Sequence, residues 1–138
     1  MQLPLLTSVE RDCLDRYLDL LRTTLRDDLI GIWVFGSVAR AESWPQGMPI
    51  RSDLDLLVVT ASEGDSSIQQ DLLDATYPLF LESGRQIGPQ FLPAARVREP
   101  KDDRTASFLE QLGREAVPVW CRPDADVPLP LEPACRSR

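Results

Sequence analysis

Two apolar stretches, each joined to a small polar cluster, most constrain how this chain can fold. Residues 31–35 have the β-branched and aromatic composition of a buried strand, and the run stops at Gly36-Ser37. Residues 53–59 form a second apolar run, opened by Asp53 and Asp55. Two carboxylates at i and i+2 of a strand point to the same face, roughly 6–7 Å apart. Acids directed at a core cost several kcal/mol unless they are paired or metal-bound. The pattern therefore predicts a cation at this strand.

The glycine-serine corner indicates a second kind of site, one for phosphate. Gly36 has no Cβ, so backbone N–H groups can approach a ligand closely. Residues 38–42 have helical composition, which places Gly36 and Ser37 at a helix N-terminus, where the N–H groups and the dipole favour phosphate. Taken alone, a glycine at a strand end also fits a simple turn. A phosphate cradle beside an acidic pair suggests nucleotide chemistry, with Mg²⁺ held between the acids and a polyphosphate.

These two clusters resemble the minimal nucleotidyltransferases of the DNA polymerase β-like nucleotidyltransferase superfamily. That family shows a glycine-serine turn, an alanine-arginine-glycine-like continuation and a serine-aspartate-hydrophobic-aspartate strand. The counterparts here are residues 36–42 and 52–58, and the resemblance extends from the first helix to about Trp120. The sequence departs from the pattern at Ala41, where the family has glycine, and in a longer gap between the turn and the acids.

A third family carboxylate, expected on a later strand, has no obvious equivalent in this chain. On the predicted strand 86–92 the inward candidates are Gly88 and Gln90, or Pro89 on the other face. None of these side chains can act as a base. Either two acids suffice for catalysis, or the domain binds nucleotide and transfers poorly.

The resemblance implies an α/β (α+β) fold, a small mixed β-sheet flanked by helices. It implies a Mg²⁺-dependent enzyme that moves a nucleoside monophosphate from ATP or another NTP to an acceptor hydroxyl. The resemblance implies that Asp53 and Asp55 are the catalytic residues and bind the metal. It also implies four nucleotide-binding residues: Gly36, Ser37, Arg40 and Ser52. Arg40 is also readable as a solvent-facing arginine. Trp44 either stacks on a base or packs against the domain.

The resemblance leaves the acceptor open. Relatives this short act as antitoxins paired with a HEPN-type toxin, or as the catalytic half of a small-molecule-modifying system. The acceptor is thus expected on a partner protein or at a homo-oligomer interface, with a protein acceptor favoured. An alternative is a catalytically impaired nucleotide-binding or partner-docking module of the same fold. A further alternative is an unrelated α/β domain in which the acid pair is structural.

Composition narrows the classes of partner. The 138 residues suffice for one domain with a core, and the net charge of −7 argues against direct nucleic-acid binding through phosphate contacts. Histidine is absent, which excludes a histidine base or ligand. Apolar runs are far below membrane-spanning length and no signal peptide is visible, so a cytoplasmic protein without membrane contact is expected.

The remaining elements follow from periodicity and capping. Thr7 to Glu10 forms a capping box that opens a helix to about Asp27. Residues 68–82 read as one helix that Pro78 kinks or ends early, followed by an edge strand at 86–92 and a loop at 93–100. The predicted buried side of that helix is Leu72, Leu73, Ala75, Leu79 and Phe80.

The last part of the chain divides into a helix, a strand and a tail. A helix runs to Gly113, and residues 117–120 form the final strand. The nucleotidyltransferase domain is thus predicted at residues 1–120. Residues 121–138 are rich in proline and are predicted to form an extended tail or docking segment outside the core.

Overall fold

The computed structural model describes residues 6–36, 53–124, 126–128 and 130–131. The helices in these ranges, apart from a 3₁₀ turn at Arg26–Asp28, are α1 (Ser8–Leu25), α2 (Ser66–Asp74), α3 (Thr76–Ser83), α4 (Ala94–Arg98) and α5 (Asp103–Glu115). The strands are β1 (Leu29–Phe35), β2 (Leu54–Thr60), β3 (Ile87–Pro93) and β4 (Val117–Cys121).

The four strands form one mixed sheet in the order β3-β2-β1-β4. β1 pairs antiparallel with both β2 and β4, whereas β2 and β3 are parallel and are connected through α2 and α3. This arrangement confirms the predicted small mixed sheet flanked by helices. It also confirms the edge position predicted for β3, where Pro89 is tolerated because only one side of the strand needs its N–H groups.

Side chains alternate along β1 and β2 between two separate cores, because successive residues of a strand face opposite sides. The first core lies under α1, α2 and α3 and includes Ile32 and Leu56. The second lies under α4 and α5 and includes Trp33 and Leu57. Asp55 is two residues before Leu57, so it belongs to the second face of the sheet.

Helix α1 begins as the sequence predicts. The Thr7 hydroxyl accepts a hydrogen bond from the backbone N–H of Glu10 at 3.1 Å, and the Glu10 carboxylate accepts one from the N–H of Thr7 at 2.9 Å. Leu14, Tyr17 and Leu21 then follow at helical spacing and are fully buried against the sheet. A capping box and one apolar stripe thus define this helix.

The single helix predicted at 68–82 is wrong, because the chain forms two helices that meet at Ala75. Pro78 lies in the first turn of α3, where its missing N–H removes no helical hydrogen bond. The predicted burial of Leu73 and Phe80 is also wrong, since they are 39% and 37% exposed. The buried stripe is narrower than predicted and includes Thr76.

Two further expectations fail near the second core. The sequence predicts a loop at residues 93–100, but Ala94–Arg98 is helix α4, which buries Ala94 and Val97. Leu131 in the proline-rich segment is 2% exposed and belongs to the second core. Gly113 permits this contact, since an added Cβ would lie 2.7 Å from the Pro130 Cβ. No helix in the described part of the chain is long and apolar enough to cross a membrane.

Candidate functional site

Gly36 directly follows β1 and turns the chain beside Asp55. Its φ is +77°, in the left-handed region that favours glycine. Phe35 pairs with Asp55 across the β1–β2 ladder, so the next residue lies close to that carboxylate. A Cβ built on Gly36 would collide with Oδ2 of Asp55. The backbone conformation therefore favours glycine at this corner, and a side chain there would displace the Asp55 carboxylate.

The two carboxylates meet near the start of β3. Asp53 immediately precedes β2, and Asp55 pairs with Gly88 in the parallel β2–β3 ladder. The point where a Cβ of Gly88 would lie is 3.6 Å from Oδ1 of Asp55 and 3.9 Å from Oδ2 of Asp53. Asp53 is exposed and Asp55 is half-buried. The two acids thus share one face of the sheet at its rim, as their i, i+2 spacing predicts.

The backbone around the acids is held by contacts of the buried residues that flank them. The N–H of Leu54 donates to the carbonyl of Gln86 at 2.8 Å, which closes β2 onto the segment before β3. The Gln86 amide donates to the Thr76 hydroxyl at 3.0 Å and to the Ile87 carbonyl at 2.9 Å. Leu54 and Ile87 are both buried in the first core. These contacts fix the strand starts from which the carboxylates project.

The arrangement fits a hard divalent cation. Carboxylate oxygens are the ligands that Mg²⁺ prefers, and Mg²⁺ is usually held by one or two carboxylates together with substrate phosphates and waters. Asp53 and Asp55 supply two such groups, directed at one point. Among the residues described, no group of three acidic, cysteine or histidine side chains is placed to hold a metal. β3 contains no acid, and Gly88 faces the pair where a third carboxylate would have to stand.

Three of the predicted nucleotide-binding residues, Ser37, Arg40 and Ser52, lie outside the described residues, as do Ala41 and Trp44. Of the predicted site residues, the structure brings Gly36, Asp53 and Asp55 together. Gly88 lies next to both carboxylates. Sequence reasoning missed the role of Gln86, whose side chain ties α3 to β3. A glutamine at the start of an apolar strand carries no signal that would distinguish this contact.

Comparisons with known proteins give likeness in structure alone. No protein-family model matches the sequence, and a search of curated proteins finds no match either. The spectinomycin adenyltransferase AAD(9) from Enterococcus faecialis, solved with ATP and spectinomycin, is similar at a TM-score of 0.59 and 18% identity. The match covers 86% of this chain and 60% of that one, so the chain spans less than two thirds of the adenyltransferase.

Toxin–antitoxin complexes give similar matches. A toxin–antitoxin solved with AMP-PNP is similar at a TM-score of 0.52 and 16% identity, over 79% of this chain and 73% of that one. A mutant of the toxin–antitoxin MntA–HpeT matches at a TM-score of 0.51, with the same identity and coverage. At such identities the likeness shows the fold, and it confirms at that level the resemblance carried by residues 36–42 and 52–58. The chain has a nucleotidyltransferase fold.

Proposed function

We propose that this protein is a Mg²⁺-dependent nucleotidyltransferase that moves a nucleoside monophosphate from ATP or another NTP to a hydroxyl group. The observation that carries the proposal is the convergence of Gly36, Asp53 and Asp55 at one rim of the sheet. A corner that favours glycine and two carboxylates with oxygens within 4 Å of one point match the two halves of a nucleotide site. The nucleotidyltransferase fold supports the same reaction class.

Each residue has a defined role in this proposal. Gly36 and Ser37 hold the β- and γ-phosphates through backbone N–H groups and the serine hydroxyl, and Arg40 contacts the phosphates. Asp53 and Asp55 hold Mg²⁺, and Ser52 orients the neighbouring carboxylate. When bound, Mg²⁺ would supply positive charge that offsets the negative charge developing on the leaving pyrophosphate. The protein residues bind and orient the nucleotide for in-line attack by the acceptor hydroxyl.

The acceptor is proposed to be a hydroxyl of a partner protein, with an antitoxin-like role beside a HEPN-type toxin, or of a small molecule. The toxin–antitoxin neighbours support a protein partner, and the adenyltransferase solved with spectinomycin supports a small-molecule acceptor. An ATP-containing neighbour and one with AMP-PNP support an NTP as donor. We place the activity in the cytoplasm, where ATP and Mg²⁺ are both available.

The test is transfer of label from α-labelled ATP in the presence of Mg²⁺, with the protein alone and with proteins that co-purify with it. Asp53→Asn and Asp55→Asn keep the size of each side chain and remove one charge. We expect transfer to fall by about 100-fold or more in each, because charge compensation in phosphoryl transfer depends on the metal. Asp15→Asn makes the same change at an exposed acid of α1 and should leave transfer unchanged.

Thermal unfolding of the three variants checks that each one folds. Mg²⁺-dependent turnover retained in the Asp53→Asn/Asp55→Asn double variant would refute the metal role. Loss of turnover in Asp15→Asn would show that the assay reports general damage rather than damage to the site.

The second candidate function is a nucleotide-binding or partner-docking module with impaired transfer. The observation that favours it is Gly88, which faces both carboxylates without supplying a third. Calorimetric titration with ATP and Mg²⁺ separates the candidates. Binding together with transfer supports the enzyme, and binding without transfer supports the module. Neither binding nor transfer would leave the acid pair as a structural feature of the fold.

A further inference from the structure

The outward face of α2 and α3 carries a row of large apolar side chains, here called the α2–α3 stripe. Its members are Leu73, Tyr77, Phe80 and Leu81, exposed to 39%, 60%, 37% and 65%. Their spacing is i, i+4, i+7 and i+8, which places them on one side of a helix. Ala75, between the two helices, keeps right-handed helical backbone angles, so the helical spacing continues through the junction.

The stripe is separate from the face that holds these helices on the sheet. Leu72, Thr76 and Leu79 make that contact and are buried. Single exposed apolar residues are common on protein surfaces and need no explanation. Four of them at regular spacing, two aromatic, form the kind of face that an amphipathic helix of another protein covers. Aromatic residues are also enriched at the centres of such interfaces.

The charge around the stripe indicates what covers it. Residues 61–84, which include both helices, contain five acids and no lysine or arginine. Two of the acids pair with arginines from elsewhere, Glu82 with Arg16 at 2.7 Å and Glu63 with Arg96 at 3.2 Å. Asp74 lies on α2 three residues before Tyr77, so it adjoins the stripe, and it is exposed. The surroundings of the stripe therefore remain acidic, and they complement a basic surface.

We propose that the α2–α3 stripe docks a partner protein through a helix that is apolar on one side and flanked by lysine or arginine. A second copy of this chain is disfavoured, because each copy has a net charge of −7 and would bring the same acids into contact. This docking goes beyond the proposed transfer reaction and does not depend on it, since none of the stripe residues belongs to the nucleotide site.

A short segment of chain joins the C-terminal end of the stripe to the strand that pairs beside the acids. Gly84 ends α3 with a φ of 76°, and Ile87 begins β3 three residues later. Three residues span about 10 Å at most. Ile87 pairs with Leu54, which lies between Asp53 and Asp55. A partner on the stripe is thus held at the same end of the sheet as the candidate nucleotide site.

The test uses a labelled amphipathic peptide of about 18 residues, with leucine on one helical face and lysine beside it. A matched peptide carries glutamate in place of lysine. Fluorescence anisotropy measures binding of the full chain to each peptide. We expect the lysine peptide to bind at least about tenfold more tightly than the glutamate peptide, and its affinity to fall as salt rises, because the acidic surroundings attract it.

Substitutions locate the binding face. Tyr77→Ala/Leu81→Ala removes two stripe residues and should weaken binding of the lysine peptide about tenfold or more. Val9→Ala/Leu20→Ala removes two exposed apolar side chains of α1 and should change it less than about twofold. Both pairs are exposed, so the melting temperatures should stay within about 2 °C of the parent. Asp53→Asn/Asp55→Asn should bind the peptide normally, which separates docking from nucleotide transfer.

Three results would overturn the proposal. The first is equal binding of the lysine and glutamate peptides, or binding of neither. The second is a loss of affinity in Val9→Ala/Leu20→Ala as large as that in the stripe variant. The third is a parent protein that sediments as a dimer and becomes monomeric on Tyr77→Ala/Leu81→Ala, which would make the stripe a contact between copies of this chain.

Discussion

Gly88→Asp would place a third carboxylate beside the acid pair, and Gly88→Asn is its uncharged match. An added Cβ at Gly88 meets Oδ1 of Asp55 at 3.6 Å and Oδ2 of Asp53 at 3.9 Å, which are ordinary contact distances. Gly88 is not among the described glycines with positive φ, so a side chain is compatible with its backbone. Asparagine and aspartate have similar size and similar strand propensity, so their difference isolates the charge.

The magnitude follows from Coulomb's law. The Cβ of a residue at position 88 would lie about 4 Å from an oxygen of each acid, and two unit charges about 4 Å apart repel each other by about 1 kcal/mol in water. Without metal, the free energy of unfolding of the aspartate variant should therefore be about 2 kcal/mol lower than that of the asparagine variant. With saturating Mg²⁺ most of this deficit should be recovered, since tenfold tighter metal binding stabilises the folded aspartate variant by about 1.4 kcal/mol relative to the asparagine variant.

The assay is urea unfolding of the parent and both variants at one ionic strength, first in chelator and then in a Mg²⁺ series. Constant salt matters because screening alone weakens repulsion between exposed charges. Gly88→Asp should bind Mg²⁺ at least about tenfold more tightly than Gly88→Asn, because the number of charged ligands sets the affinity of a site for hard cations. Any transfer activity measured in parallel should rise in the aspartate variant if the third carboxylate limits catalysis.

Equal stability of the two variants in chelator would show that position 88 does not face the acid pair. Repulsion without recovery in Mg²⁺ would show that Asp53 and Asp55 are adjacent but do not hold a metal. Each outcome refutes a different step of the reasoning, the geometry in the first case and the metal site in the second.

Three other substitutions test the scaffold and the glycine corner. The buried Tyr17 hydroxyl donates a hydrogen bond to the Leu72 carbonyl at 2.8 Å, and burial raises its pKa. Tyr17→Phe removes this hydrogen bond and should lower the free energy of unfolding by about 1 kcal/mol at neutral pH. Above pH 10 Tyr17 ionises only in the unfolded state, so the free energy of unfolding of the parent should fall by up to about 1.4 kcal/mol per pH unit. The urea midpoints of the parent and the variant should therefore converge. Arg85→Met removes the guanidinium 3.3 Å from the buried carboxylate of Glu10 and should cost about 3 kcal/mol in urea unfolding, whereas Arg16→Met at an exposed pair should cost under about 1 kcal/mol. Gly36→Ala should lower stability by about 2 kcal/mol and abolish any Mg²⁺-induced rise in melting temperature, because of its positive φ and the collision with the neighbouring carboxylate.

Local patterns predicted much of this fold because they are decided by neighbours in sequence. The capping box at Thr7 involves residues three apart, and both of its hydrogen bonds form. The Asp65 cap of α2 and the left-handed Gly84 after α3 are equally local. The adjacency of Asp53 and Asp55 follows from strand geometry alone. Such features depend little on what the rest of the chain does.

The errors arose where tertiary contacts decided the outcome. Thr76 sits in the buried stripe of α3 because its hydroxyl donates to the Leu73 carbonyl and accepts from Gln86, a residue ten positions away. Its polarity hid it from a pattern of apolar residues, so Leu73 and Phe80 were assigned to the core instead. The buried Glu10–Arg85 pair joins residues 75 positions apart, and no periodicity indicates it.

The candidate site is a consequence of strand register more than of any single residue. Because side chains alternate, a shift of one residue between β1 and β2 would turn Asp55 toward the first core and away from Gly88. The observed register pairs Phe35 with Asp55, and the irregularity in this ladder lies at Leu29/Gly31, near the opposite end of β1. Regular pairing is thus kept where the carboxylates lie. The apolar residues that follow them on β2 bury one face in each core, and this burial holds the register that brings the glycine corner and the acid pair together.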